Sequence, residues 1–336
     1  MIRYTFISII ALILFSCQST QKPALADKPL FRDPVHDGAA DPVVVWNKKA
    51  GKHYMYYTNR RANVTDEEGV KWVHGTRIGI ATSSDNGASW QYLDTCNIAY
   101  RPDSDPTYWA PDVIESEGLF HMFLTYVPGV FADWSHPRII IHLTSTDGLN
   151  WDFQSKLPLA NDKVLDATVF PLPDGGWRLW YNNEMDKKSM YYADSDDLYN
   201  WTNIGKARGV QRGEGAKVFR WNDLYWMITD EWRGLGVYHS TDLSTWMKQE
   251  KNILAEPGTG PEDGVKGQHC DVVVNGKHAY IFYFTHAGRV EGSENPDPYQ
   301  AQRSTLQVAE LEYQDSTILC DRNLPVHILL PSDNKK

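Results

Sequence analysis

Five acidic residues each stand at or just before a short apolar run, and they are the residues of this chain best suited to acid–base chemistry. They are Asp41, Asp112, Asp166, Glu214 and Asp271. Ionised carboxyl groups that are brought together repel one another, so some of them must be protonated, take part in a reaction or be paired with a cation. Two carboxyls at a suitable separation can act as general acid and general base. What these five can do depends on the elements that position them.

A repeated turn sequence shows how the chain is divided into units. Each copy joins Ser, Asp and a following Trp, and the copies lie at 83–90, 145–151, 195–201 and 240–246. Each follows a run rich in β-forming residues. Asp, Asn, Gly and Ser favour turns, and a Trp beyond them can fill the space between neighbouring sheets. A unit that returns at such intervals indicates structural repeats, and here it predicts a repeated β-hairpin.

The same order of elements occurs five times between residues 36 and 321: an acidic residue, a short apolar strand, a turn, an aromatic strand and a third strand. Short strands with turn punctuation and almost no helical periodicity predict an all-β chain. Five such units predict a five-bladed β-propeller over residues 31–330, without a second domain. The first strand of each blade lines the central channel and all five run the same way, so we expect the five acidic residues to converge at one end of the axis.

The composition favours carbohydrate and disfavours nucleic acid as a partner. The chain of 336 residues has a formal net charge of −10, which would repel a phosphate backbone. Its 13 Trp and 18 Tyr suit both β-sheet packing and the stacking of sugars on aromatic rings. The sequence contains no zinc-type Cys spacing, phosphate loop or dinucleotide fingerprint.

The N-terminus has the features of an export signal. Arg3 precedes an apolar run at 6–15 that is too short to span a bilayer, and the sequence Leu-Phe-Ser-Cys ending at Cys17 resembles the bacterial lipobox. We therefore predict a lipoprotein signal peptide over 1–16, lipidation of Cys17 and a polar tether over 17–30. The alternative is an ordinary cleaved signal. The expected location is the outer membrane, the periplasmic face or the cell surface, with the lipid anchor as the only membrane contact.

Three further cysteines allow at most one disulfide, because their number is odd. They are Cys96, Cys270 and Cys320. Cys96 and Cys320 are one candidate pair in an oxidising compartment, but the sequence alone does not decide it.

The residues near the five strand starts also resemble a known family. They are Asp41-Pro42 in the first unit, Trp109-Ala110-Pro111-Asp112 in the second, Asp166 in the third, Glu214-Gly215 in the fourth and His269 in the fifth. In this order they resemble glycoside hydrolase family 43, five-bladed propeller glycosidases acting on plant and algal polysaccharides, over nearly the whole exported chain. The resemblance implies an inverting hydrolase of oligo- or polysaccharides that requires no cofactor. It also implies that Asp41 is the general base, that Glu214 is the general acid, and that Asp166 keeps Glu214 protonated and oriented.

The chemistry of inversion agrees with these roles. Inversion needs two carboxyls about 6.5–9.5 Å apart, with a water between the base and the anomeric carbon, and opposed blades can supply that separation. A neighbouring carboxylate such as Asp166 raises the pKa of the acid by repulsion. Asp33 and Asp37 also lie near the base position. We prefer Asp41 because it directly abuts the strand, and Asp37 is the alternative.

Several residues are candidates for contact with the sugar. They are Trp109, Asp112, Arg77, Arg212, Arg233 and His269, and Arg60, Arg61 and Arg289 also lie near strand ends or in rim segments. Trp109 offers a stacking surface, while the arginines could hold a uronate or sulfate or, as we favour, neutralise the carboxylates. The resemblance implies that His269 faces the channel near a bound cation or water, so a structural Ca²⁺ there is an expectation. Insertions at 59–76, 127–138 and 286–303 could build a rim around a pocket, which favours exo action.

The sequence departs from the family at Ala216, which replaces the usual Pro after Glu-Gly and puts the substrate, rather than the fold, in doubt. Other functions fit part of the chain. The turn at 83–90 also fits the Asp-box of sialidases, which are retaining enzymes with six blades. Arg32-Asp33-Pro34 is similar to the fructan-cleaving families, but their Asn-Asp-Pro-Asn opening is missing. A non-catalytic sugar-binding surface lipoprotein would keep the aromatic residues but need not keep the three proposed catalytic carboxyls together.

Overall fold

The computed structural model describes residues 22–101, 104–290 and 297–334, and over these ranges the chain forms five antiparallel sheets arranged around one axis. This confirms the predicted all-β, five-bladed β-propeller. Because the described chain forms five blades, it does not supply the sixth blade that the sialidase alternative needs.

The strands of each blade follow one another in chain order from the axis outwards. The first blade comprises β2 (Ala39–Asn47), β3 (Lys52–Asn59), β4 (Arg77–Ser83) and β5 (Gln91–Thr95). The second comprises β7 (Thr107–Ser116), β8 (Leu119–Val127), β9 (Ile139–Ser145) and β10 (Asn150–Lys156), with β6 (Asn97–Ile98) added in parallel at its outer edge. The third comprises β11 (Val164–Pro171), β12 (Trp177–Asn183), β13 (Ser189–Ser195) and β14 (Thr202–Lys206).

The last two blades are built in the same way. The fourth comprises β15 (Glu214–Trp221), β16 (Leu224–Asp230), β17 (Leu235–Ser240) and β18 (Met247–Lys248), and the fifth comprises β19 (Gln268–Asn275), β20 (His278–Thr285), β21 (Thr305–Gln314) and β22 (Thr317–Leu319). A further two-stranded sheet pairs β1 (Ala24–Leu25) with β23 (His327–Ile328). The described helices are short: α1 (Pro298–Gln302) and 3₁₀ turns at Lys71–Val73 and Glu184–Asp186.

The ring of innermost strands is closed, and the chain ends reinforce the closure. Each innermost strand lies beside that of the next blade, and β19 lies beside β2. The backbone N–H of Leu30 donates to the carbonyl of Leu306 at 3.0 Å. Ala26, Leu30 and Phe31 are buried in a core shared by the first and fifth blades. The predicted tether therefore does not extend to residue 30, because the apolar side chains of this segment pack on the propeller.

The tryptophans of the repeated turn pack between blades, as the sequence predicts. Each lies against an aromatic ring on the second strand of the preceding blade, with ring centroids at 6.4 Å for Trp90–Phe282, 5.7 Å for Trp151–Tyr56, 5.4 Å for Trp201–Phe123 and 6.0 Å for Trp246–Trp180. The fifth blade lacks this Trp. The ring centroid of its Tyr313 lies 6.1 Å from that of Trp226 on the second strand of the fourth blade. Tyr313 thus fills the space between these two blades that a Trp fills elsewhere. The repeat thus serves the packing of blades rather than the site.

The predicted signal peptide over 1–16 and the lipidation of Cys17 lie outside the described residues. Among the residues that are described, no helix is both long enough and apolar enough to cross a membrane. Cys96, Cys270 and Cys320 are free thiols, and Cys96 lies in a different core cluster from the other two. The candidate Cys96–Cys320 disulfide is therefore absent from the described chain.

Candidate active site

The innermost strands share a bulge that aims side chains at the channel. In four of them two residues face one residue of the neighbouring strand, at Asp41-Pro42, Ala110-Pro111, Asp166-Ala167 and Gly215-Ala216. The first residue of each pair has a left-handed backbone, with φ between 43° and 58°. The fifth innermost strand has one extra residue at the same level, His269. Because a bulge bends its strand and redirects a side chain, these positions define one level of the channel.

The five predicted carboxyls separate into two levels, which corrects the expectation that all converge at one end. Asp41 and Asp166 occupy the bulges and Glu214 immediately precedes one. Asp112 and Asp271 each lie two residues beyond the position of the bulge, or about 6–7 Å further along the strand. The propeller therefore gathers three carboxyls at one level and buries the other two below it.

A cavity of about 480 Å³ opens around the upper level, a size usual for small-molecule sites. Its lining combines the acidic residues Asp41, Asp166, Glu184, Glu214 and Asp230, the basic residues Arg60, Arg138, Lys188 and Arg289, the histidines His269 and His286, and the aromatic residues Trp72, Trp109, Trp134, Trp232 and Phe284. Trp134 is 54% exposed and its ring lies 5.9 Å from that of Trp109, so the two form an aromatic edge on which a sugar can stack.

Asp41 is held between two cationic groups. Oδ1 of Asp41 lies 3.2 Å from a guanidinium nitrogen of Arg60 and 3.2 Å from Nδ1 of His269. Burial would raise the pKa of Asp41, but the charge of Arg60 and the hydrogen bond from His269 lower it well below its ordinary value. Burial would likewise lower the pKa of His269, but Asp41, and then Asp166 and Asp230, raise it to about 9. At neutral pH this is a buried carboxylate–imidazolium pair.

Asp166 connects the third blade to the fourth. Its Oδ2 accepts a hydrogen bond of 3.1 Å from the backbone N–H of Gly215, the residue after Glu214. Burial, and then the charges of Glu214 and Asp41, raise the pKa of Asp166 to about 7, against the opposing effect of His269. A buried carboxyl with such neighbours holds a proton close to neutral pH.

Glu214 is fixed by side chains from the third and fourth blades. Its Oε2 accepts from Nζ of Lys188 at 2.7 Å, and its Oε1 accepts from the indole N–H of Trp232 at 3.1 Å. Asp230 pairs with Glu214 across the two innermost strands of the fourth blade. Burial and the charge of Glu214 raise the pKa of Asp230 to about 6. Asp166 and Asp230 are therefore two carboxyls beside Glu214 that hold protons close to neutral pH.

The lower level is neutralised by a lysine. Nζ of Lys217 lies 2.7 Å from Asp112 and 2.8 Å from Asp271, and all three side chains are buried. The second carboxylate oxygens accept from the backbone N–H groups of Val169 and Val44, both at 2.7 Å. These contacts join the innermost strands of all five blades. Asp112 is therefore a partner of Lys217 and does not line the cavity, which corrects its prediction as a sugar contact.

The expected Ca²⁺ does not fit these groups. The two channel carboxylates already hold an ammonium, and His269 is a protonated partner of Asp41 rather than a free ligand. Across the described ranges, no group of three or more His, Cys, Asp or Glu side chains could hold a metal ion.

Of the other residues predicted to contact the sugar, Trp109 lines the cavity, whereas Arg77 and Arg233 do not. Trp109 lines the cavity, although it is only 9% exposed and its indole N–H donates to the carbonyl of Val73 at 2.6 Å. Arg77 lies outside the cavity and donates to the carbonyl of Pro106 at 2.8 Å. The side chain of Arg233 is 72% exposed, lies 3.4 Å from Glu231 and does not line the cavity. The structure therefore does not bring Arg77 or Arg233 to the site.

Two further candidates lie beside the cavity or away from it. Arg212 lies over the ring of Trp232 at 4.8 Å and faces a neighbouring cleft. Asp37, the alternative base, accepts from Arg32 and from the hydroxyl of Tyr299, both at 2.5 Å, and does not line the cavity. The geometry therefore favours Asp41 over Asp37.

Reasoning from sequence missed four charged residues of the site: Arg138, Glu184, Lys188 and Asp230. The sequence could have indicated Asp230, because this residue ends the second strand of the fourth blade. It therefore lies beside the bulge of the innermost strand, opposite Glu214. Glu184 and Lys188 come from the turn after β12, where periodicity gives no signal. Trp134 and Arg138 come from an insertion that was expected only to form a rim.

No family profile matches the sequence. The uncharacterized protein Rv1502 of Mycobacterium tuberculosis is 26% identical over 166 residues, which cover 46% of this chain and 52% of that protein. The chain thus spans about half the length of the curated relatives it matches.

Solved structures share the fold over almost the whole chain. A thermostable family-43 glycoside hydrolase matches with a TM-score of 0.64 and 18% identity, covering 91% of this chain and 99% of that one. A GH43 β-xylosidase/α-arabinofuranosidase from a compost metagenome matches at 0.62 and 15% identity, covering 88% and 98%. The GH32 β-fructofuranosidase of Bombyx mori matches at 0.64 and 15% identity, covering 90% and 65%. The chain has the five-bladed propeller fold of these glycosidases.

Proposed function

We propose that this protein is an inverting glycoside hydrolase of plant or algal oligo- or polysaccharides. The observation that carries the proposal is that Asp41, Asp166 and Glu214, from three different blades, meet in one cavity with aromatic walls. Burying several carboxyls against one another opposes folding, so a protein that only binds sugars has no need of the arrangement. The solved proteins that share this fold are named as glycosidases, which supports the same reaction class.

In this proposal Asp41 is the general base. Arg60 and His269 keep it ionised at neutral pH, so it can accept a proton from a water molecule. The oxygen of that water forms a bond to the anomeric carbon while the glycosidic C–O bond breaks. The electron pair of the broken bond goes to the leaving oxygen, which takes a proton from Glu214 on the opposite side. Asp41 gains one proton and Glu214 loses one, so a proton must return before the next turnover.

In this proposal Asp166 and Asp230, the two carboxyls beside Glu214, return the proton that Glu214 loses. The pKa values of Asp166 and Asp230 are raised to about 7 and about 6, so these two carboxyls carry protons close to neutral pH. Lys188 must release Oε2 of Glu214 when the leaving oxygen takes that position. Glu184, at 3.1 Å from Lys188, retains the ammonium when this happens. Asp166 also positions the acid, because its carboxylate accepts a hydrogen bond from the backbone N–H of Gly215, the residue after Glu214.

The proposal includes exo action and export of the protein. The cavity walls include Trp72 and Trp134, which come from the first two insertions, and such walls limit the number of sugar units that fit. The N-terminal sequence supports lipidation at Cys17. Labelling cells with an alkyne-bearing fatty acid should mark the wild-type protein and not the Cys17→Ser variant, and equal labelling of both would contradict the anchor.

The central test is a screen of the pure protein against arabinan, xylan, pectic and algal oligosaccharides, with released sugars read by chromatography. On a cleaved substrate, Asp41→Asn and Glu214→Gln should each lower kcat about 10²–10⁴-fold. Asp37→Asn is the matched control and should stay near the wild-type rate, because Asp37 lies outside the cavity. Full activity in either catalytic variant would overturn the assignment. Proton NMR of the first anomer formed tests inversion separately, and a retained anomer would refute it.

A further inference from the structure

A second cleft adjoins the candidate active site and is strongly basic. It has a volume of about 510 Å³ and is lined by Lys163, Glu184, Met185, Lys187, Lys188 and Arg212. We call it the basic cleft. It shares Glu184 and Lys188 with the cavity, so the two spaces are direct neighbours. Four of its six lining residues are cationic and one is anionic.

The acidic residues of this region do not neutralise the basic cleft. Glu184 already contacts Arg138 at 3.2 Å and Lys188 at 3.1 Å. Asp186, in the same turn, is held by Lys206 at 2.9 Å. Within the described part of the chain, no carboxylate lies within 4.0 Å of the charged nitrogens of the cleft's other cations, which are Lys163, Lys187 and Arg212. The cleft therefore keeps positive charge that an anionic ligand can satisfy.

Beneath the cleft, two lysines occupy left-handed backbone positions at which turns favour Gly, Asn or Asp. Lys187 and Lys188 have φ of 55° and 59°, two successive left-handed residues. Two other turns of the chain with successive left-handed residues use Asn222-Asp223 and Asp315-Ser316, which suit such turns. Two lysines at these positions cost backbone strain, and strain of this kind concentrates at functional sites.

The position of the basic cleft identifies which part of a substrate would occupy it. Lys188 contacts Glu214 at 2.7 Å, and Arg212 lies over Trp232, whose indole N–H donates to Glu214. Glu214 is the proposed acid, and the acid protonates the oxygen of the leaving group. A sugar just beyond Glu214 is therefore the leaving-group residue. Met185, which is 67% exposed, gives this sugar an apolar surface.

We propose that the basic cleft is a leaving-group subsite for an acidic sugar, one that carries a carboxylate or a sulfate ester. The proposal rests on the proposed glycosidase function and adds the substrate class. Guanidinium and ammonium groups bind carboxylate and sulfate oxygens through charge-assisted hydrogen bonds. The reducing-side residue of the bond that is cleaved would thus carry the negative charge.

The test uses pairs of oligosaccharides that differ only in charge. Uronate-containing oligosaccharides are compared with the same material after chemical reduction of the carboxyl groups, and sulfated ones with desulfated counterparts. The wild-type kcat/KM should be about tenfold or more higher for the charged member of at least one pair. Which pair shows the preference separates carboxylate from sulfate. Equal kcat/KM within both pairs would overturn the subsite.

Variants connect the preference to the cleft. In Lys187→Gln/Arg212→Gln the kcat/KM for the charged member should fall towards that of the neutral one, whereas Arg220→Gln, an exposed arginine at the far end of β15, should keep the preference. A preference that survives the double variant would refute the assignment to these residues. If no substrate is cleaved, the proposed function fails. Calorimetric titration then decides the subsite, because equal or absent binding of charged and neutral oligosaccharides would refute it as well.

Discussion

Oδ2 of Asp166 accepts a hydrogen bond of 3.1 Å from the backbone N–H of Gly215, so the carboxyl of the third blade is tied to the residue beside the proposed acid of the fourth. The raised pKa of Asp166, about 7, has a consequence for stability. In the unfolded chain an aspartate ionises at about 3.9, so folding opposes the ionisation of Asp166. The stability associated with its protonated form is present below pH 4 and is lost as the pH rises to about 7.

Asp166→Asn should therefore stabilise the protein at pH 8 while it lowers activity. We expect a gain in the free energy of unfolding on the order of 2–4 kcal/mol at pH 8, shrinking to near zero at pH 4, because asparagine never ionises. Urea unfolding followed by fluorescence across this range measures it. The matched control is Asp152→Asn on the exposed face of β10, which should show no such pH dependence. Parallel pH profiles for wild type and Asp166→Asn would contradict the prediction.

The ion pair between His269 and Asp41 predicts a loss of stability in the same direction, with rising pH, but in a more alkaline range. The pKa of His269 is raised to about 9, whereas an unfolded histidine titrates near 6.5. The stability from the pair is therefore fully present below about pH 6.5 and is lost as the pH rises through about 9. His269→Gln should destabilise the protein at pH 6, and the difference should shrink by pH 10. His278→Gln, at a half-exposed site, is the control, and a constant difference for His269→Gln over this range would exclude the pair.

Gly215 is the residue where backbone and packing both require glycine. Its φ is +58°, and an added Cβ would come within 2.5 Å of the ring of His269. Gly276 has nearly the same φ, +61°, but open space around it. Gly276→Ala should cost about 1 kcal/mol for the left-handed backbone alone, and Gly215→Ala should cost more and also lower kcat, because His269 and Glu214 must shift. Thermal unfolding and steady-state kinetics measure both, and equal effects of the two substitutions would contradict the steric account.

The sequence predicted the number of blades because the order of acidic residue, apolar strand, turn and aromatic strand occurs five times. Four of these units also carry the repeated turn, whose Ser and Asp form local hydrogen bonds and whose Trp fills a gap between blades. It also placed Asp41, Asp166 and Glu214, since the polar residues that open each apolar strand are easy to read. It wrongly placed Asp112 at the cavity, because a bulge changes how far along the channel the following residues lie. The alternation of apolar and polar residues in a strand does not show where a bulge begins. Glu184 and Lys188 could not be predicted, because their position depends on how the third blade packs against the fourth.

Lys217 is the buried cation of the central channel. Lys217 lies between Asp112 and Asp271, so Lys217→Met leaves two buried carboxylates without their cation. Removing one partner of a buried ionic group costs about 3–5 kcal/mol. We expect Lys217→Met to lower the unfolding free energy by that order, and Lys217→Met/Asp112→Asn/Asp271→Asn to recover part of the loss. Because the lysine supplies the cation of the channel, EDTA should leave the melting temperature of the wild type unchanged. A fall in melting temperature with EDTA that Ca²⁺ reverses would show instead that a metal stabilises the propeller.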